Sequence, residues 1–192
     1  MLDILVPYKE DSVERANNKT TFLEHYSPYF NVTLLEDYDT RAGAYNQAAR
    51  ESTADYIALG DIDAILPYKQ MNGALFMLED GYDLVYPYDA ILNRHPDGST
   101  TDDWPGDFVY GMMVFFNRER FIEFGGENEE FIGYGWEDLE RYYRALNSGF
   151  NVGRVPGECY HLTHPRNGFE NPYFFHNMKL MKQERAKWKA TQ

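Results

Sequence analysis

The chain has 192 residues, of which 43% are hydrophobic and 26% charged, which suits one globular domain large enough to bury a real core. Its net charge of −13 excludes a general nucleic-acid binder, because phosphate contacts need clustered Lys and Arg. The same charge means that a phosphate-ester ligand would draw on a bound metal for much of its neutralisation. Cys159 is the one cysteine, so no intrachain disulfide can form, and no stretch approaches the ~20 apolar residues of a membrane span. With no signal-like N-terminus, a cytoplasmic protein is expected.

In chain order, residues 2–6 read as a short strand stopped by Pro7. A turn follows, and Asp11 or Ser12 can cap a helix over 13–26. A strand at 31–35, an acidic loop from Glu36 to Asp39 and a helix from Arg41 to Ser52 lead into a buried strand at 54–60. That strand ends abruptly at Gly60 and the acids Asp61 and Asp63. A helix is predicted over 69–79. The strand at 83–88 follows, which Pro87 should end or push to an edge. Residues 89–107 are turn-rich and read as one long loop. A strand at 109–116 and a short helix at 118–124 come next, then a glycine-rich acidic loop from Gly125 to Gly135. The helix at 136–148 places Trp136, Leu139, Tyr143 and Leu146 on one face and stops at Gly149. Short strands at 152–155 and 159–162 precede a basic helical tail from 177 onward. The alternation of strands and helices predicts an α/β layered domain with a mostly parallel sheet.

Four constellations could carry chemistry. Asp61 and Asp63 lie at a strand's carboxyl end, where open α/β sheets collect ligands and where two carboxylates can hold a divalent cation. Alternatively, they cap the next helix or shape a turn. His161 and His164 could share that cation, or serve as hydrogen-bonded structural residues. A mixed carboxylate–imidazole set suits Mn²⁺ better than Mg²⁺. Glu137 and Asp138 begin a helix behind glycines. The helix dipole favours them there and is expected to keep them ionised, and an ionised acid so placed could equally act as a general base. Lys9, Arg15 and Arg41 sit near strand ends, to meet phosphate or to pair with Glu36, Asp37 or Asp39.

Taken in order, these motifs resemble GT-A glycosyltransferases, and among them the β-1,4-galactosyltransferase family and its relatives that transfer N-acetylgalactosamine. The resemblance rests on Pro7-Tyr8-Lys9, Thr40-Arg41-Ala42 and Asp61-Ile62-Asp63 running on to Pro67. It continues through Tyr110-Gly111, Gly133-Tyr134-Gly135-Trp136-Glu137-Asp138, and His161 to Arg166 with Asn171-Pro172. It covers about residues 4–176. It implies a Rossmann-like GT-A catalytic domain over 1–176, with residues 177–192 as a basic helical tail.

By this resemblance, Mn²⁺ (or Mg²⁺) would be held by Asp63, His161 and His164. Pro7, Tyr8, Lys9 and Arg41 would border the nucleotide of a UDP-sugar donor. Asp61 would contact its ribose or sugar, with Ile62, Gly111, Tyr134 and Trp136 as further nucleotide-sugar contacts. Glu137 would bind a sugar, and Asp138 would be the base in transfer to a glycan or glycoconjugate acceptor with inversion. A retaining transferase and a sugar-nucleotide-binding module without turnover are the alternatives. Tyr134 stands where the family has Trp, Trp136 replaces a glycine and Leu139 an acid, which weakens any transfer of sugar specificity. The family's membrane anchor and stem are not found in the sequence, as in a bacterial or phage version. The tail is expected to dock on the domain, with peripheral contact to an anionic membrane as the other use.

Overall fold

The structure is a computed structural model and describes residues 1–102, 109–165 and 171–191. Strands and helices alternate at first: β1 (Leu2–Pro7), α1 (Val13–Tyr26), β2 (Asn31–Leu35), α2 (Arg41–Glu51) and β3 (Tyr56–Gly60). Then come β4 (Ala64–Ile65), α3 (Tyr68–Glu79), β5 (Leu84–Tyr86), β6 (Ala90–Arg94), β7 (Thr100–Asp102) and β8 (Met113–Asn117). The chain continues through α4 (Arg118–Glu123), α5 (Glu137–Asn147), β9 (Val152–Arg154), β10 (Glu158–Leu162) and α6 (Phe174–Ala190). The caps follow the local chemistry. The Ser12 hydroxyl accepts from the Arg15 N–H to start α1, and that of Thr40 accepts from Gly43 to start α2.

The main sheet has the order β2-β1-β3-β8-β5-β9. β1 is parallel to β2 and β3, and β5 is parallel to β9, while β8 runs antiparallel to both neighbours. Successive side chains point to opposite faces of a strand, and the two apolar clusters divide accordingly. Ile4, Val6, Ala58, Val85, Met113 and Phe115 face α1 and α3 through Phe22, Tyr26, Met71, Ala74 and Leu78. Leu5, Ile57, Leu59, Leu84, Val114 and Phe116 face α2, α4 and α5 through Tyr45, Ala48, Ala49, Phe121 and Ala145. Burying each large apolar side chain contributes about 1.5–3 kcal/mol. The inner strands, buried on both faces, therefore hold the layers together.

Two expectations need correction. Residues 89–107 are not one loop, because β6 and β7 pair within them as an antiparallel hairpin. Residues 103–107 of that stretch lie outside the described residues. Pro87 ends β5, as the sequence allows, and the strand lies inside the sheet between β8 and β9. The strand expected from 109 begins at Met113, because Met112 takes a left-handed conformation (φ 64°) that interrupts the extended run.

A second, four-stranded sheet, β4-β10-β6-β7, lies beside the first. It is what builds the site, because its register places His161 opposite Ala64 on one side and Asn93 on the other. The tail helix α6 packs along α5 through Tyr143–Trp188 and Trp136–Phe174 ring contacts, with Met181 and Asn177 buried. Among the described residues, no helix is long and apolar enough to cross a membrane.

Candidate metal centre and cleft

Gly60 ends β3, and the chain turns through Asp61 and Asp63 into β4. Neither acid caps the next helix, whose first cap position is Pro67. The turn is held from several sides. The Asp61 N–H donates to the Met112 carbonyl at 2.8 Å, and the Leu162 N–H donates to the Asp63 carbonyl at 2.8 Å. The β4–β10 pairing then brings the histidine segment alongside. His164 Nε2 lies 3.0 Å from Asp63 Oδ2 and His161 Nε2 lies 3.9 Å from it. One donor atom from each of Asp63, His161 and His164 falls within 4.8 Å of the others.

The surroundings orient these donors. His161 Nδ1 is 2.8 Å from Asn93 Oδ1, and His164 Nδ1 is 2.9 Å from the Pro165 carbonyl oxygen. Those oxygens accept, so each Nδ1 carries the proton and each Nε2 faces Asp63. This is how a metal-binding imidazole is usually fixed by its outer partner. Burial works to raise the Asp63 carboxyl. The His164 hydrogen bond and the charges of His161, His164 and Arg15 outweigh it, so the net shift is downward. His164 is raised, first by its bond to Asp63. Each effect draws His164 Nε2 and Asp63 Oδ2 together, at the place where both could share a cation. One buried carboxylate and two imidazoles form a donor set that fits Mn²⁺.

Two residues back, Asp61 forms an ion pair with Arg41, and Arg41 also reaches Glu137 at 3.7 Å. The Arg41 partners are therefore not the expected Glu36, Asp37 or Asp39. Lys9 Nζ lies 3.3 Å from the Tyr38 carbonyl oxygen and over its ring, and Arg15 lies 3.6 Å from Asp11 and 3.8 Å from Asp63. Burial pushes Asp61 up to about 6 against the pull of Arg41, although 32% of its side-chain surface still meets solvent.

Burial, then the neighbouring Asp138, pushes Glu137 up to about 7. The expectation that the helix N-terminus keeps Glu137 firmly ionised is thus corrected. The dipole's stabilisation, together with the bond Glu137 Oε2 accepts from the Gly135 N–H (2.8 Å), is outweighed by desolvation. Asp138 stands beside Gly111, where a Cβ would come within 3.0 Å of Asp138 Oδ2. Its Oδ1 accepts from Arg141 at 2.8 Å.

A cleft of about 310 Å³ opens over these groups, lined among others by Lys9, Tyr38, Arg41, Phe131, Tyr134 and Glu137. A narrow recess that shares Arg41, Tyr45 and Arg141 with it is also walled by Asp61, Gly111, Met112 and Asp138. The metal trio lies outside both and is joined to them through the Asp61–Asp63 turn.

Not every residue singled out in the sequence reaches the cleft. Pro7 is buried at the end of β1, and Tyr8 and Ile62 are core residues at 3% and 1% exposure. Trp136 packs on Phe174, in a left-handed conformation (φ 74°) just before α5. Arg166 lies outside the described residues.

Other site residues are not evident in the sequence. Asn93 falls in the stretch read as a loop. Glu127 and Arg141 are not singled out in the sequence, yet they are 6% and 4% exposed and form a two-pronged ion pair. The one available signal for Arg141 is its helical spacing, three residues after Asp138.

Known proteins resemble the chain in sequence and in fold. A family model described as the N-terminal domain of galactosyltransferase matches residues 103–168. Beta-1,4-galactosyltransferase 7 of Drosophila melanogaster is 26% identical over 79% of this chain and 46% of its own length. Xylosylprotein 4-beta-galactosyltransferase of Caenorhabditis elegans is 22% identical over 81% of this chain and 54% of its own. The chain therefore spans about half the length of these curated relatives. Among solved structures, the Drosophila beta-1,4-galactosyltransferase 7 catalytic domain with xylobiose superposes with a TM-score of 0.67 at 20% identity. It covers 94% of this chain and 79% of that one. GalNAc-T7 with UDP, GalNAc and Mn²⁺ gives 0.65 at 10% identity, covering 95% and 47%.

The fold is thus the GT-A fold of glycosyltransferase catalytic domains. Within that fold, the sequence matches of the chain are to galactosyltransferases.

Proposed function

We propose that this chain is a metal-dependent glycosyltransferase. It moves a hexose or N-acetylhexosamine from a UDP-sugar to a hydroxyl of a glycan or glycoconjugate, with inversion. The observation that carries the reading is the Asp63–His161–His164 trio, set two residues from Asp61 in a recess that also holds Asp138. A mutant Drosophila beta-1,4-galactosyltransferase 7 bound to manganese, UDP-Gal and xylobiose supports it, at a TM-score of 0.57 and 21% identity over 80% of this chain and 63% of that one.

Held by Asp63, His161 and His164, Mn²⁺ would supply Lewis acidity toward the leaving diphosphate. Arg41 and Lys9 add positive charge at the cleft mouth, where an acidic chain otherwise repels a nucleotide. Asp138 accepts the proton of the acceptor hydroxyl as that oxygen attacks the anomeric carbon from the face opposite UDP. Burial and the neighbouring Asp138 raise the Glu137 carboxyl to about 7, so it holds a proton more readily than a free carboxyl. It can therefore donate to a sugar oxygen as well as accept from a sugar hydroxyl.

General-base help contributes about 10²–10⁴-fold in rate. Asp138→Asn should lose that factor in transfer while binding UDP as wild type does, and an unchanged rate would refute the base. Calorimetry of UDP with and without Mn²⁺ tests the metal in wild type and Asp63→Ala. Metal-independent affinity in the wild type would refute the site. Anomeric NMR of the product decides inversion against retention. Donor binding with neither transfer nor hydrolysis would leave a binding module.

A further inference from the structure

Helix α5 turns two sides inward. Its aromatic side meets α6, while Glu140 and Arg141 on another side are buried as deeply as core residues, at 2% and 4% exposure. The Arg141 guanidinium grips Glu127 with two prongs, Nε–Oε1 at 2.7 Å and Nη2–Oε2 at 3.0 Å. It also donates from Nη2 to Asp138 Oδ1 at 2.8 Å and from Nη1 to the Tyr110 carbonyl at 3.5 Å.

We propose that Arg141, aimed by Glu127, is the positioning residue that fixes the Asp138 carboxylate for transfer. The inference rests on Asp138 being the base.

Three features support it. First, the fork is anchored from behind. The Glu127 N–H donates to Asn46 Oδ1 at 2.7 Å and Asn46 Nδ2 donates to the Glu127 carbonyl at 2.9 Å, which ties the loop to α2. Gly126, with φ 73°, leaves room for that bond, because a Cβ there would fall 2.1 Å from Asn46 Oδ1. Second, the grip takes one carboxylate oxygen and leaves the other clear. Oδ2 faces Gly111, which has no side chain to cover it, and 37% of the Asp138 side-chain surface stays open. A planar fork held on both edges restricts the rotation of its third partner, which a flexible ammonium would not do. Third, packing alone does not call for this pair. A buried ion pair is often replaceable by apolar side chains of similar volume without loss of stability. Glu127 also offsets the Arg141 charge, so the guanidinium orients Asp138 without wholly cancelling the carboxylate's own charge.

The test is a kinetic cycle on folded protein, with thermal melts as the fold check. Glu127→Leu/Arg141→Met should keep acceptor KM and UDP affinity within about threefold. It should lower kcat by about 10–100-fold, the scale expected when a catalytic group is misplaced by roughly 1 Å. In an Asp138→Asn background the same pair of changes should cost kcat nothing further, because the group it positions is already disabled. A merely structural role would lower kcat by the same factor in both backgrounds, or raise KM in step, and either result overturns the inference. So does wild-type kcat in the folded pair variant. If the pair variant does not fold, Arg141→Lys is read in the same cycle, and a wild-type kcat there overturns the proposed fork. Failure of the base assignment itself is seen separately, as a wild-type rate in Asp138→Asn alone.

Discussion

Tyr26→Phe removes one oxygen that is not itself among the candidate metal ligands and should still loosen the metal centre. Tyr26 is fully buried on α1. Its hydroxyl donates to the Ala64 carbonyl at 3.1 Å and accepts from the Leu66 N–H at 2.8 Å, so one group clamps the start of β4 and the residue just past it. Ala64 follows Asp63 and pairs with His161. Phenylalanine keeps the ring and its packing, so no cavity term of note arises, but a buried N–H and a buried C=O lose a partner. Each such loss costs about 1–3 kcal/mol, and a carbonyl with a second lone pair sits at the low end, which gives about 2–4 kcal/mol in total. For a domain of this size each kcal/mol lowers Tm by about 2–4 °C, so circular-dichroism melts should fall by roughly 4–16 °C. Calorimetric titration of Mn²⁺ into the folded variant should show weaker binding than wild type. A Tm within about 2 °C of wild type, with unchanged Mn²⁺ affinity, would refute the idea that α1 sets the β4 turn.

Gly126→Ala should destabilise the chain by about 2 kcal/mol or more in urea unfolding. It places a Cβ against the buried Asn46 side chain and forces a left-handed backbone on alanine. Manganese affinity should rise with pH from about 6 to 8. His164, raised above its ordinary 6.5, must shed a proton before it can ligate, and calorimetry in buffers of different ionisation heat should count that proton. Glu137→Gln should flatten the pH dependence of stability. The carboxyl binds its proton more tightly folded than unfolded. Its contribution is therefore complete below about 4.5 and is lost as pH rises through about 7; equal urea midpoint shifts between pH 5 and 8 in wild type and variant would contradict this.

Local chemistry set much of the architecture. The elements at 13–26 and 31–35 match the observed helix and strand to the residue, because capping hydroxyls, apolar runs and stop signals act within a few positions. Asp61, Asp63, His161, His164, Glu137 and Asp138 could be picked out in the sequence for a similar reason: they sit at strand ends and a helix start, where ligands and charges gather.

Tertiary pairing decided the rest. β6 has weak alternation and turn residues on both sides, so only its hydrogen bonds to β10 and β7 make it a strand and deliver Asn93 to His161. The protonation tendencies of Glu137 and Asp61 depend on burial, which a list of neighbours in sequence does not contain. The Glu127–Arg141 fork joins residues fourteen apart across a loop. Sequence alone thus determined which side chains could do chemistry. The fold decided which of them meet, since contact, register and desolvation are properties of chains packed together and not of local order.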